Sequence, residues 1–464
     1  MTTKSHGLTR TVCEYVATSR YSDLPSDVIE VAKRLTLDSL GTTLAGGTLG
    51  DGGPETAAVV ISAGGRPEST VLGYGEKVSS VMASLANGAM VHSLNYDAIG
   101  AEGGHPGAFA LTAPLAVAER RGGVSGKEFI NALVAGVEVE MRSVLALLRA
   151  GVNTKGRFLE GQLLSYLGAT LSAGRVLELS VDELDSALGL MLMQASGSRQ
   201  VVVYGDPPAK GIYAAFPNQG GVLAALLAQE GLGAHCDALE GQAGFFAMFY
   251  NGVYDASVIT EGLGTTYYTL DSSFKPWPTS GLIHAFIEAG LQLRNEDGVD
   301  PGEIVELKLT GHPDSRNWFE PVEERRQPGS AASAANSVYF GAAKALANGA
   351  VTLADFTPGG LGQPEALRLA ARGSHELDPS LSPHAGIVEV VLRSGATVTR
   401  HIDVPLGHPA RPLSREQLID KFMDCASHAP LPLAQAALES VVDLIDRLED
   451  LDDVAAIPEA LSRR

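Results

Sequence analysis

Cysteine is scarce: the 464 residues hold three, Cys13, Cys236 and Cys425, widely spaced, odd in number and without a CxxC pair. That supports neither a disulfide framework nor a zinc knuckle, and a reducing cytoplasm is the expected compartment. Aromatic residues make up only 6% while Ala and Gly abound, which favours closely packed helices over a β-sandwich. Basic residues are outnumbered, 34 Lys and Arg against 54 Asp and Glu, for a formal charge of −20. With no basic stripe, a nucleic-acid partner is excluded, although a local cluster of Lys and His can still bind an anion inside an acidic protein. No apolar run of about 18 residues occurs, and the stretch MTTKSHGLTRTVCEYVATSRYSDLP carries no signal-peptide apolar region, so no membrane partner is expected. There is no P-loop, no HExxH, no GxSxG elbow and no GxGxxG opening a βαβ unit. Neither a metal nor a nucleotide has positive support, and no cofactor is expected.

The length suffices for two or three domains, and the 45% hydrophobic content is that of a globular protein. Two textures follow one another. From Leu8 to about Tyr268 the pattern is helical: SDVIEVAKRLTLDSLGTTLAGG offers Ser26 as N-cap, Val28, Val31 and Leu35 on one face, and Gly46-Gly47 as a stop. Ala-rich amphipathic segments recur at 78–91, 108–120, 126–149, 161–178, 182–195 and 212–230, as in a helical bundle. After DSSFKPWPTSG the texture changes. EIVELKLTGH (303–312) reads as a strand, IVEVVLRSGATVTRHIDV (387–404) as a hairpin about Ser394-Gly395, and AANSVYFGAAKALANG between them as a helix. The final segment returns to helical spacing. The expected fold is mainly α: a large all-helical domain from both chain ends (1–272 and 405–464) plus a smaller α+β lid domain (273–404).

The candidate chemistry lies in Gly/Pro-rich turns: His105 in GGHPG, Lys210 in GDPPAKGIYAAF and Lys275 in SSFKPWPTSGLIH. Lys275 precedes a proline, hence sits on extended backbone, at the junction between the two textures, where clefts form. Taken alone, each has a plainer reading, a structural histidine in a turn and two surface lysines.

These pieces carry a resemblance. LTLDSLGTTLAGG, NGAMVHSLNYD with the following HPG, AGVEVEMR, FKPWPTSGLIH and PLGHPARPLSREQLIDKF, in this order and spacing, make the chain similar to the MmgE/PrpD family. That family includes 2-methylcitrate dehydratases, cis-aconitate decarboxylases and iminodisuccinate epimerases. The resemblance implies an all-helical domain with an α+β lid, and a homodimer. It implies catalytic roles for His105, at the histidine of the family's HPxG turn, for Lys210, at a lysine before an AA helix, and for Lys275, at the lysine of KPYP. Other positions depart from the family. Where LDFDDT is usual this chain has LNYDAI: Asn95 replaces an aspartate, Asp97 is kept, Ala98 replaces the next aspartate and Ile99 a threonine. Leu159 stands at the histidine of GFH, and Phe340 at the tyrosine of FSLPY, with Tyr339 one residue earlier. Tyr96 and Asp97 are expected to line the pocket, and His284 to brace the lysine turn.

The resemblance thus implies a small carboxylate as substrate. Eliminating water or carbon dioxide, or inverting a carbon beside a carboxylate, moves a proton at carbon while charge develops on oxygen. Lysines and an imidazolium can serve both needs. A lyase is the first expectation, an isomerase or epimerase the second, and a divergent member with unrelated chemistry or a binding role the third. With Asn95, Ile99, Leu159 and Phe340 lining it, the pocket would be a cationic end facing an apolar wall. Lys275 is expected to contribute charge in that cleft and little packing.

Overall fold

The computed structural model of the protein describes residues 7–154, 156–205 and 207–461. The fold is mainly α, with two hydrophobic cores. The larger core is drawn from helices between Leu8 and Phe274 and again from Leu413 to Leu461; the smaller runs from Trp277 to Ile402.

At the centre of the larger core lies the helix Gly126–Arg149, opened by a capping box between Ser125 and Glu128 and buried over most of its length. It packs against the helix Glu160–Val176 at a crossing made of glycine: a Cβ on Gly136 would lie 2.5 Å from the carbonyl oxygen of Gly168. The AGVEVEMR stretch belongs to this helix. Its Arg142 is fully buried and donates to the carbonyls of Val258, Ile259, Glu261, Gly262 and Thr266, while Glu138 accepts from Thr269. Those two residues pin the connection that leads toward Lys275. The helix Ser26–Leu49 begins one residue earlier than its sequence suggests. Pro25, rather than Ser26, is the N-cap, because its fixed φ suits the entry and Ser26 already has helical geometry. The helix Arg415–Ser427 returns to pack on it, where Gly41 lets the backbone of Phe422 approach.

The smaller core is a four-stranded sheet in the order Gly373–Leu377, Ile304–Gly311, Gly386–Leu392, Thr397–Ile402. The last two form the expected hairpin, with Gly395 at φ +86° in its turn. The strand Gly373–Leu377 pairs parallel to Ile304–Gly311, from Leu307 opposite Gly373 to Gly311 opposite Leu377. Helices His284–Asn295 and Val338–Asn348 pack together beside the sheet.

The chain passes between the two cores twice, and the passages touch: the Phe274 N–H and the Ser273 hydroxyl both donate to the Gly407 carbonyl, at 3.0 and 2.9 Å. Gly407 has φ +91°, and a Cβ there would meet the Phe274 carbonyl oxygen. Just before this crossing, Ser272–Ser273 pairs antiparallel with Ile99–Gly100, which brings the Lys275 segment against the His105 loop.

Candidate active site

The helix Ser80–His92 ends in His92, and the chain then turns through Asn95 at φ +52°, a left-handed conformation that asparagine tolerates better than most residues. Gly103 and Gly104, both at positive φ, bring it back to His105, which precedes the short turn Pro106–Ala108. The His105 backbone N–H donates to Glu140 Oε1 at 3.0 Å. Gly161 allows two rings to close over this loop, since a Cβ there would lie 2.6 Å from both the His105 ring and the Tyr213 hydroxyl.

One carboxylate organises the centre. Asp97 is fully buried; its Oδ1 accepts from His92 Nδ1 at 2.9 Å and its Oδ2 from His105 Nδ1 at 3.3 Å, and Lys275 Nζ lies 4.0 Å from Oδ1. Because a carboxylate only accepts, both imidazoles carry their proton on Nδ1, leaving Nε2 of the cavity-lining His105 for a ligand. Burial alone would raise the Asp97 carboxyl, but His92, Lys275 and the bonds from the two imidazoles together hold it well below the usual carboxylate range. Burial lowers His92, against the pull of Asp97.

Lys275 is only 1% exposed and donates to both the carbonyl and Oδ1 of Asn95, at 2.7 and 2.9 Å. Burial depresses it to about 8, with Lys421 and Lys210 lowering it further and Asp97 and Asp38 opposing. This corrects the expectation of a lysine with little packing: it is a buried keystone of the loop. Behind it His284 is buried with its ring edge-on to Trp277, and burial followed by the nearby Lys275 pushes it down to about 3, so it is neutral. Glu140 is driven by burial up to about 8 despite its bonds from His105 and Ser165, which leaves it protonated at neutral pH.

Above this cluster lies a cavity of about 600 Å³ lined by His105, Lys210, Lys275, Asn95, Ile99 and Leu159. These six are brought together as the sequence suggests. Others are placed elsewhere. Tyr96 is buried beneath the loop, its hydroxyl donating to the Pro276 carbonyl at 3.0 Å and its ring under Lys421, so it supports the wall from behind. Asp97 likewise acts through the imidazoles and has no exposed surface. Tyr339 and Phe340 lie in the smaller core, not on the cavity wall; the Tyr339 hydroxyl and His375 Nδ1 share a hydrogen bond of 2.6 Å and Phe340 packs near Phe356. The helix Val338–Asn348 is buried nearly all round, so both residues find apolar neighbours there. Sequence reasoning missed His92, Tyr213 and Glu140. His92 was visible as the polar residue closing an apolar helix five positions before Asp97; Tyr213 and Glu140 carried no such signal.

His92, Asp97 and His105 also offer ligand atoms within 4.8 Å of one another, a donor set that could hold a metal ion. Against that use, both Nδ1 atoms already point their protons at Asp97, and the Lys275 ammonium stands 4.0 Å away, where it would repel a cation. Dialysis of active protein against EDTA is therefore expected to leave turnover unchanged; activity lost and then restored by zinc or manganese would assign the cluster to a metal.

The chain matches the MmgE/PrpD N-terminal domain over residues 10–256 and the MmgE/PrpD C-terminal domain over residues 277–447. It belongs to the MmgE/PrpD family. Lys275 lies just ahead of the second match, in the connection pinned by Arg142. Among MmgE/PrpD relatives, the cis-aconitate decarboxylase of Aspergillus terreus is 27% identical, the alignment covering 98% of this chain and 96% of that protein. The human cis-aconitate decarboxylase is 26% identical over 94% of this chain and 90% of its own length. The cis-aconitate decarboxylase-like protein oryM of Aspergillus oryzae is 26% identical over 98% and 97%. No helix among the described residues is long and apolar enough to cross a membrane.

Proposed function

We propose that the protein is a cofactor-independent lyase that eliminates water or carbon dioxide from a small carboxylate. The observation that carries this reading is the convergence of His105 Nε2, Lys275 and Lys210 on one cavity, with Asp97 fixing the imidazole and Asn95 fixing the amine. The names of the relatives support the lyase class. In this scheme Lys210 neutralises a substrate carboxylate, Lys275 takes or returns a proton at the adjacent carbon, and His105 accepts a proton on Nε2 and, as the imidazolium held by Asp97, passes it to the group that leaves or the carbanion that remains. An amine at about 8 is divided between its two forms near neutral pH, as a proton carrier requires. His105 and Lys275 both lean on Asp97 and so approach the substrate from one side, which favours elimination over inversion, where two carriers face each other across the carbon. A cytoplasmic homodimer is the setting we propose, following the family resemblance.

The test is proton exchange and product formation in deuterated water with a panel of di- and tricarboxylates. Deuterium entering at carbon together with an eliminated product is expected; no exchange with any acid would overturn the reading. Within the panel, Ile99 and Leu159 oppose a charged group at their part of the wall, where neither side chain offers it a partner, although Arg199 and Arg325 line the same cavity. Cis-aconitate and 2-methylcitrate are therefore expected to be poor substrates, and Asn95→Asp combined with Leu159→His to raise kcat/KM on them. Efficient wild-type turnover of either acid would show that the replaced positions do not set specificity.

A further inference from the structure

The catalytic cavity is not alone. A second cavity, of about 760 Å³, joins it at His92, Asn95, Lys210 and Asn336. Its walls come from both units: Leu49 and Leu94 from the helical part, Leu353, Phe356, Leu361 and Leu367 from the smaller one. Leu49, Leu94, Leu361 and Leu367 are only half-buried: the first two pack on a small cluster of Ala45, Tyr96, Leu353 and Cys425, the last two on the smaller core, and all four line the void. Among the described residues Lys210, at the shared end, is the only lysine or arginine lining this cavity, whereas Asp51 and Glu55 are its carboxylates. Burial raises the half-buried Asp51.

A compact polycarboxylate has no use for such a space. Its second or third carboxylate would meet leucine side chains and two acidic residues, while one carboxylate is already served where the cavities join. The space alone falls within the range that encloses a drug-sized ligand. We propose that the second cavity is a subsite for an aliphatic chain, so that the substrate is a carboxylate bearing an unbranched alkyl substituent: the acid end at Lys210 and Lys275, the chain between Leu94 and Phe356. This rests on the reading of the first cavity as the place where a carboxylate reacts.

Calorimetric titration of the full chain with succinate, butylsuccinate and octylsuccinate tests the subsite independently of turnover. Affinity is expected to rise with chain length by up to about four-fold per buried methylene. Ala332→Trp, which places a bulky ring at a half-buried position on this wall, is expected to abolish the gain while leaving succinate affinity unchanged. Leu49→Gln, at the end of its helix, is expected to reduce the gain and serves equally should the tryptophan variant not fold. Equal wild-type affinity for succinate and octylsuccinate would overturn the proposal, as would a chain-length gain untouched in both variants. Tighter binding of an ω-aminoalkylsuccinate than of its alkyl analogue would overturn it too, by assigning the space to a cationic tail held by Asp51 and Glu55. The two readings separate cleanly. Chain-length-dependent binding without proton exchange in any acid removes the lyase and keeps the subsite; turnover of small acids with no chain-length gain does the reverse.

Discussion

Lys275→Met is expected to lower kcat by about 10²- to 10⁴-fold, the range for losing a positioned proton-transfer group. Lys275→Arg should do the same, since a guanidinium keeps the charge but does not release its proton at accessible pH. The pair separates a proton carrier from a mere counter-charge: near-wild-type activity in the arginine variant would reduce Lys275 to electrostatics. If the neutral amine is the base, wild-type kcat/KM should climb as pH rises through about 8, the value to which burial depresses this lysine. The same depression has a sign in stability. Between about 8 and the ordinary lysine value of 10.5, the unfolded chain binds more protons than the folded one, so stability rises with pH across that window. The methionine variant should lose that slope. It should also melt at a lower temperature than wild type at neutral pH, because Asn95 loses two hydrogen bonds and Asp97 a neighbouring cation.

Asp97→Asn is expected to cost a comparable factor in kcat while the cavity keeps its shape. Asparagine presents one acceptor and one donor where two imidazole N–H groups now point, so one ring must change tautomer or break its bond. If His105 changes, its proton moves to Nε2 and it can no longer accept there. A second readout distinguishes this from loss of structure. Asp97 is the chief influence raising Lys275 against burial, so the inflection in kcat/KM near 8 should move to lower pH in the variant. An unchanged rate and inflection would remove Asp97 from the working cluster.

Much of the fold was legible because its signals are local. Helical periodicity located the segments around Gly126–Arg149 and Glu160–Val176, and the Ser394-Gly395 turn located its hairpin. The strand Gly373–Leu377 escaped because GSHEL is short, and its parallel partner is some 60 residues away, a pairing no local pattern encodes. The site divides in the same way. His105, Lys210 and Lys275 stood out as polar residues in Gly/Pro turns. Their coupling through Asp97 did not, because it depends on the pairing of Ile99–Gly100 with Ser272–Ser273 across some 170 residues of chain. Phe340 and Tyr339 were assigned to the pocket by position in a resemblance, and alignment alone does not say which way a helix is turned. Glu140 falls inside the helical segment 126–149 with nothing local to mark it, and only its burial beneath the His105 backbone reveals a neutral acid.

The contact of Phe274 and Ser273 with Gly407 clamps the two connections between the units together. Both strands of chain that join the units run through it, and Lys275 lies one residue along, so the backbone that carries the amine is held where the two connections meet. A side chain at Gly407 would press on the Phe274 carbonyl oxygen and so shift the backbone that carries Lys275, disturbing the chemistry from a position outside the cavity.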